Sequence, residues 1–154
     1  MKKFITILFA LTITASAQDY QGFITKWEGA KNEVYTCPAG YKTIGVGHKL
    51  LPHEDYEFLS DAQIVMLFGQ DFNIAYGTAR KYVIGFDSRP EIVKLILVDF
   101  SFNVGETTFA KFKKMIKACN DYDYSKMSDE LMDSNWYNQV GRRSRHHCAR
   151  LKEL

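Results

Sequence analysis

A chain of 154 residues with 46% apolar and 25% charged side chains can bury the core of one compact domain, and its composition excludes a disordered or fibrous protein. A net charge of +2 is too small to argue for a nucleic-acid partner and only mildly favours a polyanionic surface. The three cysteines, Cys37, Cys119 and Cys148, form no CxxC pair, so no zinc site is expected, nor any other metal or cofactor.

The chain begins with Lys2 and Lys3, an apolar run from Phe4 to Ala17, and the A-x-A signal Ala15-Ser16-Ala17. That run falls short of the roughly 20 residues a membrane-spanning helix needs. Residues 1–17 therefore read as a signal peptide cleaved after Ala17, or a transient signal anchor, preceding a single domain over 18–154. The expected location is periplasmic or secreted, with no stable membrane anchor.

Tyr20, Phe23, Ile24 and Trp27 share one face of a helix that Gly29 can end, which leaves Glu28 in its last turn. The period then changes. Glu33–Tyr35 and Lys42–Gly47, split by Pro38 and Gly40, read as two strands of a hairpin. Ser60 and Gln63 form a capping box before a long helix with Ile64, Leu67, Phe68, Phe72, Ala75 and Ala79 on one stripe. After a loop containing Gly85, Pro90 opens a helix through "IVKLILVDFSFNV" that is apolar nearly all round, as befits the centre of a helical lobe. Beyond Gly105, Phe109, Phe112, Ile116 and Cys119 continue as a stripe, and a last helix covers Arg142 to Lys152. The fold class is α+β: a small lobe with a β-hairpin, a long connecting helix, and a larger all-helical lobe.

A cleft between two such lobes is a common substrate site. Glu28 is the leading candidate for chemistry there, because Trp27 and the glycine turn beside it can desolvate a general acid. Taken singly, Glu28 also reads as a solvated helix-end glutamate, Cys37 as a spectator, Thr43 as a strand residue and His48 as a structural histidine.

Together they form a pattern. Glu28, eight residues, Cys37, five residues, Thr43, then "IGVGH" resembles the phage lysozyme family, glycoside hydrolase family 24, in which an aspartate stands where this chain has Cys37. "FGQDFNIA" (Phe68 to Ala75), "FSFNVGETTFAKF" (Phe100 to Phe112) and "NWYNQVGRRSR" (Asn135 to Arg145) resemble segments of the T-even phage lysozymes. The resemblance implies a two-lobed lysozyme-like fold and a monomeric enzyme that cleaves the β-1,4 bond between N-acetylmuramic acid and N-acetylglucosamine in bacterial peptidoglycan. Glu28 would be the general acid, with Cys37 and Thr43 on the side where water attacks. Lys49, Phe102, Asn103, Phe112, Met115 and Glu130 match substrate-cleft positions, although Lys49, Met115 and Glu130 differ in character from the T-even residues. Arg143 matches an arginine that contacts the catalytic glutamate, and His48 with Asp71 matches a structural ion pair. Glycoside hydrolysis needs a proton donor on one side of the bond and a group that orients water or stabilises positive charge on the other.

A thiolate at Cys37 can supply that charge if its pKa is low. Two rival readings remain: an inactive wall-binding or inhibitory module, and a Cys37/His48 amidase or peptidase. Export favours oxidation, so Cys119 and Cys148 are expected to pair across a loop of about 30 residues, the alternative being two core thiols.

Overall fold

The computed structural model describes residues 15–37 and 40–154. Most of the leader expected over residues 1–17 lies outside them. Helix α1 (Ala15–Glu28) ends where Gly29 takes a left-handed conformation (φ 70°) and donates its N–H to the Thr25 carbonyl at 2.9 Å. Tyr20 and Ile24 are buried, and the Tyr20 ring meets the edges of Phe72 and Tyr76.

Three antiparallel strands follow in the order β1 (Lys31–Thr36), β2 (Lys42–Gly45) and β3 (His48–Lys49). The expected second strand is shorter than its apolar run, because Gly45 (φ 62°) and Gly47 (φ 72°) reverse the chain into a third strand. Register sets Tyr35, Thr43 and Lys49 in one row on one face. Ile44 points the other way, fully buried, and Gly45 lies against Ile64 and Leu67 of helix α2 (Asp61–Tyr82). The capping box is formed in full: Gln63 N–H donates to the Ser60 hydroxyl, and the Gln63 side chain accepts from the Ser60 N–H.

A charged clamp joins the sheet to α2. On β3, His48 Nδ1 lies 2.8 Å from Asp71, and its Nε2 lies 2.9 Å from Glu54 in the 50–60 loop. The hydrogen bond to Asp71 pushes His48 up to about 9, against the opposing effect of burial and with help from Glu54. Asp71 was legible as a partner; Glu54 was not.

Helix α3 (Glu91–Val104) runs through the centre of the helical lobe, with Val93, Ile96, Leu97, Val98 and Phe100 buried. Phe100 packs against Phe109, Phe112 and Trp136 at ring separations of 4.8–5.6 Å. Around α3 stand α4 (Glu106–Phe109), α5 (Lys113–Asn120), α6 (Tyr124–Met132), α7 (Asn135–Val140) and α8 (Arg142–Lys152). The sheet and eight helices among the described residues give the α+β class. No described helix is long and apolar enough to cross a membrane.

The expected Cys119–Cys148 pairing is overturned, and the helical stripe before it is divided. The stripe from Phe109 to Cys119 is buried or half-buried and spans two helices, because α4 ends at Phe109 and Phe112 (φ −79°, ψ 49°) leaves helical geometry before α5. Cys119 and Cys148 do not form a disulfide: both are buried thiols on α5 and α8, and each of those helices packs mainly against the intervening α6. Cys148 Sγ faces the Ser128 carbonyl at 3.7 Å, and burial pushes the Cys119 thiol up to about 11, far from reactive thiolate.

The clamp has a pH signature. With a folded pKa near 9 against about 6.5 unfolded, His48 contributes stability fully present below pH 6.5 and lost as pH rises through 9. Denaturant unfolding between pH 6 and pH 10 should cost the protein about 2–3 kcal/mol more than it costs His48→Asn. Equal losses would show that the clamp is not charged.

Candidate active site

Glu28 is the last residue of α1, delivered to the lobe boundary by the glycine stop that follows it. Its side chain is 18% exposed. Oε1 accepts from Arg143 Nη1 at 2.5 Å and lies 3.5 Å from Asn103 Nδ2. Asn103 is oriented by Trp136, whose indole N–H donates to its Oδ1 at 2.8 Å and leaves the amide nitrogen toward Glu28. On the other side Oε2 rests against Gly47, where a Cβ would stand 2.9 Å from it. The β2–β3 turn thus requires glycine twice over, for its positive φ and for the carboxylate beside it.

Arg143 is itself held. Its Nε and Nη2 donate to the two oxygens of Asp99 at 2.8 and 2.7 Å, a bidentate pair in which Asp99 is fully buried and Arg143 is 5% exposed. His147, also fully buried, brings Nε2 to Asp99 at 2.5 Å. Burial opposes charge on Asp99, but the bonds from His147 and Arg143 outweigh it and hold the carboxyl below the usual carboxylate range. Helical spacing explains the assembly. Asp99 and Asn103 are four residues apart on α3, as Arg143 and His147 are on α8, so each pair shares a face.

The sheet lies beside Glu28 at the Gly47 turn. Cys37, half-buried, follows β1 in a tight turn: its N–H donates to the Tyr41 carbonyl at 2.9 Å, and its own carbonyl accepts from Gly40. The Tyr35 phenol is pushed up, first by burial and then by the charges of Glu28 and Cys37. Tyr35 therefore lies within electrostatic reach of both. Thr43, beside Tyr35 in the sheet, is 2% exposed and donates its hydroxyl to the Tyr41 carbonyl at 3.0 Å. That carbonyl thus receives both Thr43 and the Cys37 backbone, so Thr43 braces the cysteine turn instead of standing open to solvent. Lys49 is exposed, its ammonium 4.2 Å from the centre of the Tyr41 ring.

Among the other expected positions, Asn103 and Arg143 meet Glu28 directly. Half-buried Phe102 packs on Phe68, half-buried Phe112 packs on Phe100, and Glu130 is partly exposed on α6. Met115 is corrected: at 1% exposed it is a core residue and cannot touch a sugar. His48 lies outside the site, because both its ring nitrogens serve the clamp to α2. Asp99, His147, Gly47 and Tyr35 were not foreseen. A carboxylate inside an apolar helix, and an Arg-x-x-x-His on the last one, were the signals available.

The α+β fold thus carries a glutamate fixed by a buried arginine at the end of α1, with the turn of a small antiparallel sheet against it. The sequence profile of the family described as "Phage lysozyme" matches residues 25–151, and the chain belongs to that family. It is also similar to "Probable T4-type lysozyme 2" of Dictyostelium discoideum, 25% identical over 145 residues, covering 76% of this chain and 84% of the relative. Family and relative support a lysozyme-type, muramidase activity in general terms.

Gly47→Ala tests the geometry. Displacement of Glu28 by the new methyl should lower turnover by about 10–100-fold, while the positive φ costs about 1 kcal/mol of stability. Unchanged turnover with lowered stability would detach the turn from the site.

Proposed function

We propose that this protein is an exported, monomeric muramidase that hydrolyses the β-1,4 bond between N-acetylmuramic acid and N-acetylglucosamine in peptidoglycan. The observation that carries the reading is a carboxylate at the lobe boundary, held by buried Arg143 on one oxygen and seated against Gly47 on the other. In this reading Glu28 gives its proton to the glycosidic oxygen as the bond to the leaving sugar breaks, and Arg143 receives the charge left behind. Cys37, on the water side, supplies a compact anionic or nucleophilic sulfur toward the positive charge developing on the sugar. Thr43 acts by fixing the turn that carries Cys37. Lys49, Phe102, Asn103, Phe112 and Glu130 are proposed to line the strand's path; Met115 is withdrawn.

The engagement of both His48 nitrogens weighs against a Cys37/His48 amidase, because neither nitrogen is left to take a proton from the thiol. Digestion of purified peptidoglycan followed by borohydride reduction separates the alternatives. The expected new terminus is N-acetylmuramitol. N-acetylglucosaminitol would mean the other glycosidic bond, new amino groups without reducing ends an amidase or peptidase, and no product a binding module.

The role of Cys37 has its own series. Cys37→Asp should stay active, Cys37→Ser should be weak because a hydroxyl remains neutral, and Cys37→Ala should lose about 10²–10⁴-fold. Thiol alkylation should inactivate the wild type and spare Cys37→Asp. Full activity in Cys37→Ala would make the thiol a bystander.

A further inference from the structure

The hairpin between β1 and β2 closes with Cys37 opposite Tyr41. The Cys37 N–H donates to the Tyr41 carbonyl at 2.9 Å, and the Cys37 carbonyl accepts from Gly40, which takes a left-handed conformation (φ 84°). Register then decides what stands around the sulfur. Tyr35 is paired with Thr43, and Thr43 with Lys49, whereas Thr36 is paired with Lys42. Side chains two positions apart on a strand share a face, so Tyr35, Cys37, Tyr41, Thr43 and Lys49 stand on one side of the sheet and Lys42 on the other. The Tyr35 phenol agrees, since it feels the charge of Cys37.

Two rings on this face carry an ammonium. Lys31 Nζ lies 4.2 Å from the centre of the Tyr35 ring, and Lys49 Nζ lies 4.2 Å from the centre of the Tyr41 ring. Neither lysine has an ion-pair partner among the described residues. Each is held by a ring without net charge instead of a carboxylate, and so keeps its full positive charge beside the Cys37 turn.

A thiol needs such neighbours more than a carboxyl does. An ordinary aspartate titrates near about 3.9 and is ionised at neutral pH unaided, whereas an ordinary cysteine titrates near about 8.5 and is mostly neutral there. Glu28 acts on the same phenol as Cys37, and its carboxylate opposes a second negative charge at this place. Arg143 does not offset it, because its donors are engaged by Asp99 and Glu28. The two ring-bound lysines are the cations that remain on this face.

Resting on the muramidase reading above, in which Cys37 acts as an anion, we propose that Lys31 and Lys49 are positioning residues that hold the Cys37 sulfur ionised near neutral pH from the faces of Tyr35 and Tyr41. They act through the charge on sulfur and take no part in breaking a bond. Both lysines are exposed, so their replacement should leave the fold intact.

The test titrates the thiol without turnover, so its outcome stands apart from whether the glycosidic bond is cut. Alkylation of Cys37 by iodoacetamide is followed by peptide mass spectrometry from roughly pH 5 to 9.5. The proteins compared are wild type, Lys31→Met/Lys49→Met, Lys31→Arg/Lys49→Arg and Lys42→Met. The wild-type midpoint should lie below about 8.5 and rise with added salt. The methionine pair should raise it by about one pH unit and slow alkylation at pH 7 about tenfold. The arginine pair keeps both charges and should stay close to wild type, as should Lys42→Met, whose lost charge stood on the other face. The proposal is overturned by a wild-type midpoint at or above about 8.5, or by one that neither salt nor the methionine pair moves. An equal rise in the arginine pair or in Lys42→Met would overturn it as well.

Discussion

The bond between Arg143 and Asp99 is the interaction on which the site depends. Two opposite charges withdrawn from water stabilise a fold only if nearly all their hydrogen-bonding capacity is met, because the desolvation cost otherwise exceeds the attraction. Here Asp99 receives both prongs of the guanidinium and the imidazole of His147, and Arg143 turns its remaining edge to Glu28. Helices α1, α3 and α8 are thereby locked at one point. A buried pair of this kind contributes little net stability, yet loss of either partner strands the other and typically costs 3–5 kcal/mol. It is better understood as a device that aims one carboxylate.

The rest of the molecule brings the turn of the small sheet to that carboxylate. Gly29 stops α1 so that Glu28 emerges at its end, and Gly47 lets the β2–β3 turn approach without a side chain between. Tyr35, Thr43 and Lys49 lie in one row because the strand register places them there, and the Tyr41 carbonyl draws the Cys37 turn back against Thr43. The His48 clamp anchors this small sheet to α2, which also packs on α3. Sheet and buried ion pair are thus parts of one continuous frame.

Elements with strong periodicity and chemical punctuation were legible: α2 from its capping box, α3 from its apolar run behind Pro90, α8 from its bounds. Strand β3 was not, since two residues carry no period, and α6 and α7 announced themselves only through the caps Asp123 and Ser134. The run from Glu28 to Thr43 pointed to a candidate site only through its resemblance to the phage lysozyme family, which also suggested Asn103, Arg143 and the His48–Asp71 pair. Asp99 escaped because one acid in an apolar helix reads as a break in the pattern until its partner, 44 positions away, is seen. Met115 and the cysteine pairing failed for a shared reason. Burial on a short helix depends on which neighbours stand opposite, and α6, which decides this for Cys119 and Cys148, carries only a cap signal that says nothing of what it packs against.

In the proposed reaction the carboxylate aimed by Arg143 is the proton donor. Glu28→Gln tests it most directly, because the amide keeps an oxygen for Arg143 and the side chain's volume but has no acidic proton to give. Initial rates of reducing-end release from purified peptidoglycan should fall by about 10²–10⁴-fold, with circular dichroism and unfolding midpoint close to wild type. Retention of more than about a tenth of the wild-type rate by a folded Glu28→Gln protein would contradict the assignment.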